Sequence, residues 1–259
     1  MSKRSLMAVL LLAVAAAAGL GPVPAAGRAS AALLQLDAPA VMPADSDGVA
    51  VLRAADRIRG AKILVSTKQR WLWFVVAKDT LLSVPVAVGM NSDFVYEDKK
   101  FHFSTPIGRR KVLKKEEQPI WTVPEWHYME KAKARDLELV RLRAGSKIEL
   151  EDGSTLVVKG DQVGRVNQFG NFWAFTPGTE IVFDGKIFMP PFGTAQRRVP
   201  DALGPYKLDL GDGYLIHGTH VYNEESIGQA VSHGCVRMNN DDLTRLYELV
   251  AVGTVVEIV

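Results

Sequence analysis

The sequence predicts a mostly β protein, on three observations. Short runs rich in β-branched and aromatic residues recur from Lys62 to Val259. Two Asp-Gly pairs, Asp152-Gly153 and Asp184-Gly185, each sit between two such runs, a strong hairpin signal. Helical signals are few: a charged stretch over Glu125–Val140 and an apolar stripe after Asn239.

In chain order, Ile63–Ser66 and Trp71–Val76 read as a hairpin with a polar tip at Thr67–Arg70. Leu81–Val88 is a third strand, stopped by Gly89. Phe101–Ser104 leads into a turn at Thr105-Pro106-Ile107-Gly108, and Lys111-Val112-Leu113 returns as a short strand. The tryptophans of Ile120–Trp126 flank a proline and read as core packing at a strand end, with a groove wall as the alternative. The charged Glu125–Val140 stretch is expected on the surface. Lys147–Leu150, Thr155–Lys159, Glu180–Phe183 and Lys186–Met189 make the middle of the chain β-rich. Its Phe169, Phe172, Trp173 and Phe175 are expected in the core of a small sheet, with a ligand-stacking face as the alternative. Tyr206–Leu210 turns at Gly211-Asp212-Gly213 into Tyr214–Ile216, so a strand ends at His217. Asn239 or Asn240 caps the last helix, Leu243, Leu246, Tyr247 and Val250 form its apolar face, Gly253 ends it, and Thr254–Val259 is a final strand.

The chain has 259 residues, 47% hydrophobic and 23% charged, enough for a real core. Its net charge of +2, with no block of Lys and Arg, gives no reason to expect a nucleic-acid partner. Residues 1–26 read as a signal peptide: Lys3 and Arg4, an apolar run from Leu6 to Leu20, then small residues and a proline. That run is shorter than the roughly 20 residues of a spanning helix. Sites after Ala25, Ala26 and Ala31 all suit cleavage. Export to the periplasm or cell wall is the expected destination. Residues 27–61 read as a linker, with a short helix near Val49–Ile58.

Export gives the only cysteine, Cys235, a particular weight. A lone thiol makes no internal disulfide and is a liability in an oxidising compartment. Three of the five histidines, His217, His220 and His233, share its window from Ile216 to Asp242. An adjacent imidazole can make a thiol a nucleophile. His233 lies two residues before Cys235, on the same side if that segment is extended. His217 lies on a strand that could pair beside it. Gly234 lets a carbonyl approach backbone N–H groups that could hold an oxyanion. Arg237 could fix a carboxylate. A metal site of these histidines and Cys235 is the rival, but no second cysteine supports zinc spacing. A buried, inert cysteine is the other. His220 has no assigned role, and His102 and His127 read as structural or surface residues.

His217-Gly218-Thr219, Ile227-Gly228, Ser232-His233-Gly234-Cys235-Val236-Arg237-Met238 and Asp242 together resemble the signature of the L,D-transpeptidase catalytic domain family (YkuD-like). The Ile63–Gly89 strands, Thr105–Gly108 and Leu203-Gly204 fit that domain as well. The resemblance covers about residues 62–259, with about 131–198 as a longer insertion or subdomain. It implies a β-sandwich-like fold and work on peptidoglycan stem peptides without a cofactor or metal. In that scheme Cys235 attacks the amide between an L- and a D-centre. His217 is base and then acid, the Gly218 carbonyl orients its imidazole, and His233 supports the thiol. Gly234 and Cys235 N–H groups hold the oxyanion, and Arg237, Ser232 and Thr219 bind substrate. An amine of a second stem, a wall-anchored protein or water takes the acyl group. Carbapenem-type inhibitors would acylate the cysteine. A wall-binding module without chemistry is the alternative from another class.

Overall fold

A computed structural model describes residues 60–259. The signal peptide, its cleavage sites, the linker and the helix expected near Val49–Ile58 lie outside the described residues. The rest is mostly strand, with two α-helices, Glu125–Ala134 and Asn240–Leu249, among the described residues.

Two sheets carry the main core. The first has five strands in the order Asp79–Pro85, Trp71–Val76, Ala61–Ser66, Val255–Ile258, Gly108–Lys111. The last strand of the chain pairs parallel with the first one described, Ile63 opposite Val256. The second sheet has four strands in the order Val236–Arg237, Leu215–His217, Tyr206–Asp209, Lys114–Glu117. Alternation aims Ile63, Val65, Leu72 and Phe74 of one sheet and Leu208, Ile216 and Val236 of the other into one shared core. Leu243 and Leu246 of the C-terminal helix close it. Burying an aliphatic side chain of this kind contributes about 1.5–3 kcal/mol. This is the sandwich-like arrangement that the resemblance implies.

Two expected strands are divided, for physical reasons. Leu81–Val88 leaves the first sheet after Pro85, which has no N–H to donate. The chain then crosses to pair with the segments on either side of Cys235: Ala87 bridges Arg237, and Val88–Gly89 runs beside Ala230–Ser232. Lys111-Val112-Leu113 is a corner, not a strand. Gly108–Lys111 belongs to the first sheet and Lys114–Glu117 to the second, with Val112 buried at the change. The last helix is capped by Asn239, whose side chain accepts the Asp241 N–H at 2.9 Å. It ends at Leu249, ahead of Gly253.

The middle of the chain builds two smaller cores. One packs the helix residues Tyr128, Met129 and Ala132 against Val123, Leu139, Ile187 and Met189. The other packs Leu142, Leu150, Leu156, Val158, Val163, Ile181 and Phe188. The expected hairpins at Asp152-Gly153 and Asp184-Gly185 form as read. Of the four aromatic residues, Phe175 packs against this second core as expected, while Phe169 and Trp173 correct the expectation. Phe169 is 77% and Trp173 56% exposed, because aliphatic residues already fill that sheet's inner face. The Glu125–Val140 stretch is corrected too: the helix stops at Ala134, Glu138–Arg141 is a strand, and one helix face is buried. A hairpin absent from the sequence reading, Ser92–Tyr96 with Lys99–Phe103, lies beside this helix and stacks Phe94, Phe101 and Phe103.

Candidate active site

The site is one face of the second sheet. Leu215–His217 pairs parallel with Val236–Arg237, Ile216 opposite Val236 and His217 opposite Arg237. Side chains alternate along a strand. Ile216, Val236 and Met238 therefore enter the core, while the paired His217 and Arg237 take the other face, with Cys235 immediately before their strand. Lys207 continues that row, opposite His217 on the far side, and its ammonium pairs with Glu116 at 3.3 Å. Residues distant in sequence thus meet through strand pairing.

His217 is 6% exposed and its Nδ1 lies 2.6 Å from the Gly218 carbonyl oxygen. A carbonyl only accepts, so Nδ1 carries the proton and Nε2 keeps its lone pair. Burial pushes this imidazole down to about 4, the Arg237 and Lys207 charges push the same way, and the Gly218 carbonyl opposes them. Cys235 is half-buried, and its thiol donates to the Gly213 carbonyl at 3.8 Å. Burial pushes the thiol up to about 11, against the pull of the Leu215 backbone and Arg237. Both shifts favour the neutral forms. They run against the thiolate that an adjacent imidazole can make.

The turn before Cys235 is tightly specified. Gly234 has φ +131°, and a Cβ there would meet Tyr214 Cε1 at 2.9 Å and the Ser104 carbonyl at 3.0 Å. Its carbonyl accepts the Thr105 hydroxyl at 2.9 Å, and the same hydroxyl accepts the Gly89 N–H at 2.8 Å. Ser232 closes the turn from inside: its Oγ accepts the Gly234 N–H at 3.2 Å and donates to the Cys235 carbonyl at 2.5 Å.

These bonds correct several expected roles. Ser232 is 2% exposed and its hydroxyl is engaged within the turn, so it shapes the loop and does not face substrate. The Gly234 N–H already has Ser232 as its acceptor, which leaves the Cys235 N–H as the oxyanion donor of the expected two. Thr219 is 2% exposed, and both its backbone groups bond to the Asn240 side chain at 2.9 Å. It too is structural. His220 caps the short helical turn Val221–Ser226 by accepting the Tyr222 N–H at 3.4 Å. His233 does not run alongside Cys235 in an extended segment, because Gly234 turns the chain. Its Nε2 lies 2.9 and 3.1 Å from the two Glu130 oxygens. His102 pairs with Asp93 on the surface, and His127 packs among Trp121, Trp126 and Tyr128. No group of three or more His, Cys, Asp or Glu side chains able to hold a metal occurs among the described residues.

Arg237 is half-buried, donates to Ser226 Oγ at 3.0 Å, and has no carboxylate partner among the described residues. The family model described as the L,D-transpeptidase catalytic domain matches residues 60–258. The chain belongs to that family. Among curated relatives, "Probable L,D-transpeptidase YbiS" of Escherichia coli is 47% identical over 86 residues, 33% of this chain and 28% of that protein. "Probable L,D-transpeptidase ErfK/SrfK" of Salmonella typhimurium is 39% identical over 97 residues, 36% of this chain and 29% of that one. The aligned stretches thus span under a third of either relative. A crystal structure of an L,D-transpeptidase from Xylanimonas cellulosilytica aligns over 83% of this chain and 70% of its own, at 13% identity and TM-score 0.40. That likeness is too loose to carry an argument.

Within this L,D-transpeptidase domain, three residues escaped the sequence reading. Thr105 was visible only as part of a turn, and Asn240 only as a helix cap. Glu130 stood in a stretch expected on the surface, 103 residues from His233. Local pattern marks none of them, since each acts through a contact distant in sequence. The two tryptophans around Pro124 separate as well. Trp121 sits in a short strand pair with Val199, while Trp126 lies flat on His233 at 4.0 Å.

Proposed function

We propose that this domain is the catalytic part of an exported peptidoglycan L,D-transpeptidase with Cys235 as nucleophile. The observation that supports the reading is the parallel pairing that sets His217 opposite Arg237, two residues after Cys235, with the His217 ring fixed by the Gly218 carbonyl. Family membership supplies the substrate class, stem peptides with an L–D amide.

The resting neutral pair makes proton transfer part of the attack. Cys235 sulfur bonds to the donor carbonyl carbon as its proton passes to His217 Nε2. The Cys235 N–H receives the oxyanion. Arg237, a charge with no carboxylate of its own, takes a substrate carboxylate by a bidentate bond. Collapse breaks the C–N bond, and His217 returns its proton to the departing D-alanine amine. The thioester then passes to an amine of a second stem, giving a 3→3 cross-link, or to a protein. One amide is exchanged for another, so no cofactor or ATP enters. Export places the domain in the periplasm or cell wall, where its substrate is.

Intact mass after incubation with a carbapenem tests the nucleophile. An adduct lost in Cys235→Ser and kept in His220→Ala is expected. An adduct that survives Cys235→Ser, or none in the wild type, overturns the reading. Mass spectrometry of products from a tetrapeptide muropeptide then reads dimer against hydrolysed tripeptide or conjugate. Dimer is expected; tripeptide alone would make the domain an L,D-carboxypeptidase.

A further inference from the structure

The second imidazole of the nucleophile's loop is held in a way that the acylation step does not use. Both Glu130 oxygens lie within 3.1 Å of His233 Nε2. The ring stacks on Trp126 at 4.0 Å and 17°, and stands edge-on to Phe103 at 4.5 Å. Trp126 and Glu130 are four residues apart on one helix and so share a face. Phe103 comes from the neighbouring hairpin. The middle of the chain thus supplies a socket for a residue of the catalytic loop.

That socket fixes a tautomer. A carboxylate accepts, so Nε2 carries the proton and the neutral ring keeps its lone pair on Nδ1. His233 Nδ1 has no hydrogen-bond partner among the described residues, and the side chain is 29% exposed. His217 differs on both counts: it is 6% exposed and its own Nδ1 is engaged by Gly218. The two imidazoles therefore differ in tautomer: buried His217 leaves Nε2 free, and partly exposed His233 leaves Nδ1 free. The titratable groups facing the His233 ring are Glu130 and His127, both on the helix.

We propose that Glu130 is a positioning residue for the transfer half of the reaction. It holds His233 with Nδ1 open to the acceptor amine that attacks the Cys235 thioester. The inference rests on the function proposed above. In the step, the free-amine nitrogen bonds to the acyl carbon and the C–S bond breaks. The surplus amine proton passes to His233 Nδ1 and, through water, ends on the departing sulfur. An amide and the free thiol result. The acceptor class is a primary amine, and the His233 imidazole is what favours it over water.

The test compares Glu130→Gln with wild type in both half-reactions, using the whole chain, a carbapenem for acylation, and a tetrapeptide muropeptide with an amine acceptor for transfer. Glutamine keeps the size but can present either amide end, so it no longer dictates the tautomer. Transfer should fall about tenfold or more beyond any change in acylation, the scale at which groups that orient a histidine act. Product should shift from dimer to hydrolysed tripeptide. The ¹⁵N spectrum of His233 should lose its single Nε2–H signature, and a loss confined to transfer is what a merely structural role would not produce. Glu130→Asp, which keeps the charge, should recover part of the transfer. Equal loss in both half-reactions, unchanged transfer, or an unchanged ¹⁵N signature overturns the proposal. So does a wild type that is acylated and only hydrolyses. A wild type that forms no adduct fails at the earlier step, and the proposed function falls with it.

Discussion

Asn240 holds Thr219 by both ends of its amide: Oδ1 accepts the Thr219 N–H and Nδ2 donates to the Thr219 carbonyl, each at 2.9 Å. The start of the last helix is thereby tied to the residue after Gly218, the group that orients His217. The fit explains two glycines. A Cβ on Gly218 would meet Asn240 Oδ1 at 2.3 Å, and one on Gly204 would meet it at 2.4 Å. The carbonyl that fixes the catalytic ring is itself fixed by this clasp.

Asn240→Ala should therefore destabilise the domain by about 2–3 kcal/mol, since it strands a buried donor and acceptor. Carbapenem acylation should slow as well, because the His217 ring loses its alignment. Asn240→Asp keeps the acceptor for Thr219 N–H, loses the donor, and should fall between. Denaturant midpoints and acylation rates measure both effects. An alanine variant as stable and as fast as wild type would remove the clasp from the account.

Gly234→Ala should be severe through backbone strain. At φ +131° a side chain is disfavoured, at a cost of about 1–3 kcal/mol, and the Ser104 carbonyl blocks it besides. Trimming the Tyr214 ring in a Tyr214→Ala, Gly234→Ala double variant relieves only the ring contact. Thermal unfolding should show the double variant still destabilised. Full recovery would mean that the ring, and not the backbone, requires glycine.

Much of this was legible in the chain, and the reasons for the rest are physical. That the His217 strand could pair beside the cysteine segment was readable from the apolar run before His217; the register, His217 opposite Arg237, was not. Pro85 and Val112 were harder. Each divides a β-rich run because its two halves belong to different sheets, and local composition does not encode which sheet a strand joins. Burial misled in both directions. Phe169 and Trp173 look like core residues but face solvent, while Ser232 and Thr219 carry hydroxyls yet are nearly inaccessible. The protonation of Cys235 was hidden for the same cause: a sequence gives proximity but not desolvation, and here desolvation pushes the thiol up against the pull of Arg237.

Thiol reactivity should reflect that desolvation. With Cys235 pushed up to about 11, the thiolate fraction at pH 7 is about one in ten thousand. Alkylation by iodoacetamide should keep rising with pH through 9, without a plateau near neutrality. A plateau below pH 8 would reveal a preformed thiolate–imidazolium pair and refute the neutral resting state.

Acid should weaken the fold well before the surface carboxylates titrate. His217 and His127 are both pushed down from 6.5 to about 4, each chiefly by burial. Between those values the unfolded chain binds protons that the folded chain refuses, so stability falls as pH drops from about 6.5 to 4. Each group contributes a slope of up to about 1.4 kcal/mol per pH unit inside the window. His127→Phe keeps an aromatic ring among Trp121, Trp126 and Tyr128 and removes one of the two titrations. Its denaturant-derived stability should fall by clearly less than that of wild type between pH 6.5 and 4.5. Parallel curves would show that His127 does not titrate in this range.

Arg237 is the group whose substitution should read on substrate more than on fold. It stands in the His217 row, half-buried, with Ser226 Oγ its side-chain partner and no protein carboxylate beside it among the described residues. A desolvated guanidinium of this kind is costly alone and gains from an incoming anion. Arg237→Lys keeps the charge and loses the planar fork. Donor kcat/KM should fall by about 10- to 100-fold, the equivalent of one charge-assisted hydrogen bond at 1.5–3 kcal/mol. The decisive control is a donor peptide whose terminal carboxylate is amidated. If Arg237 binds that carboxylate, the lysine variant and the amidated donor should each lose activity, and the two losses should not add. Additive losses would place the carboxylate elsewhere. Removing the charge at this position should also change His217 in a predictable direction. Arg237→Gln relieves one of the two cationic pressures on the imidazole, so the ring should titrate nearer its ordinary value, which an NMR titration would read.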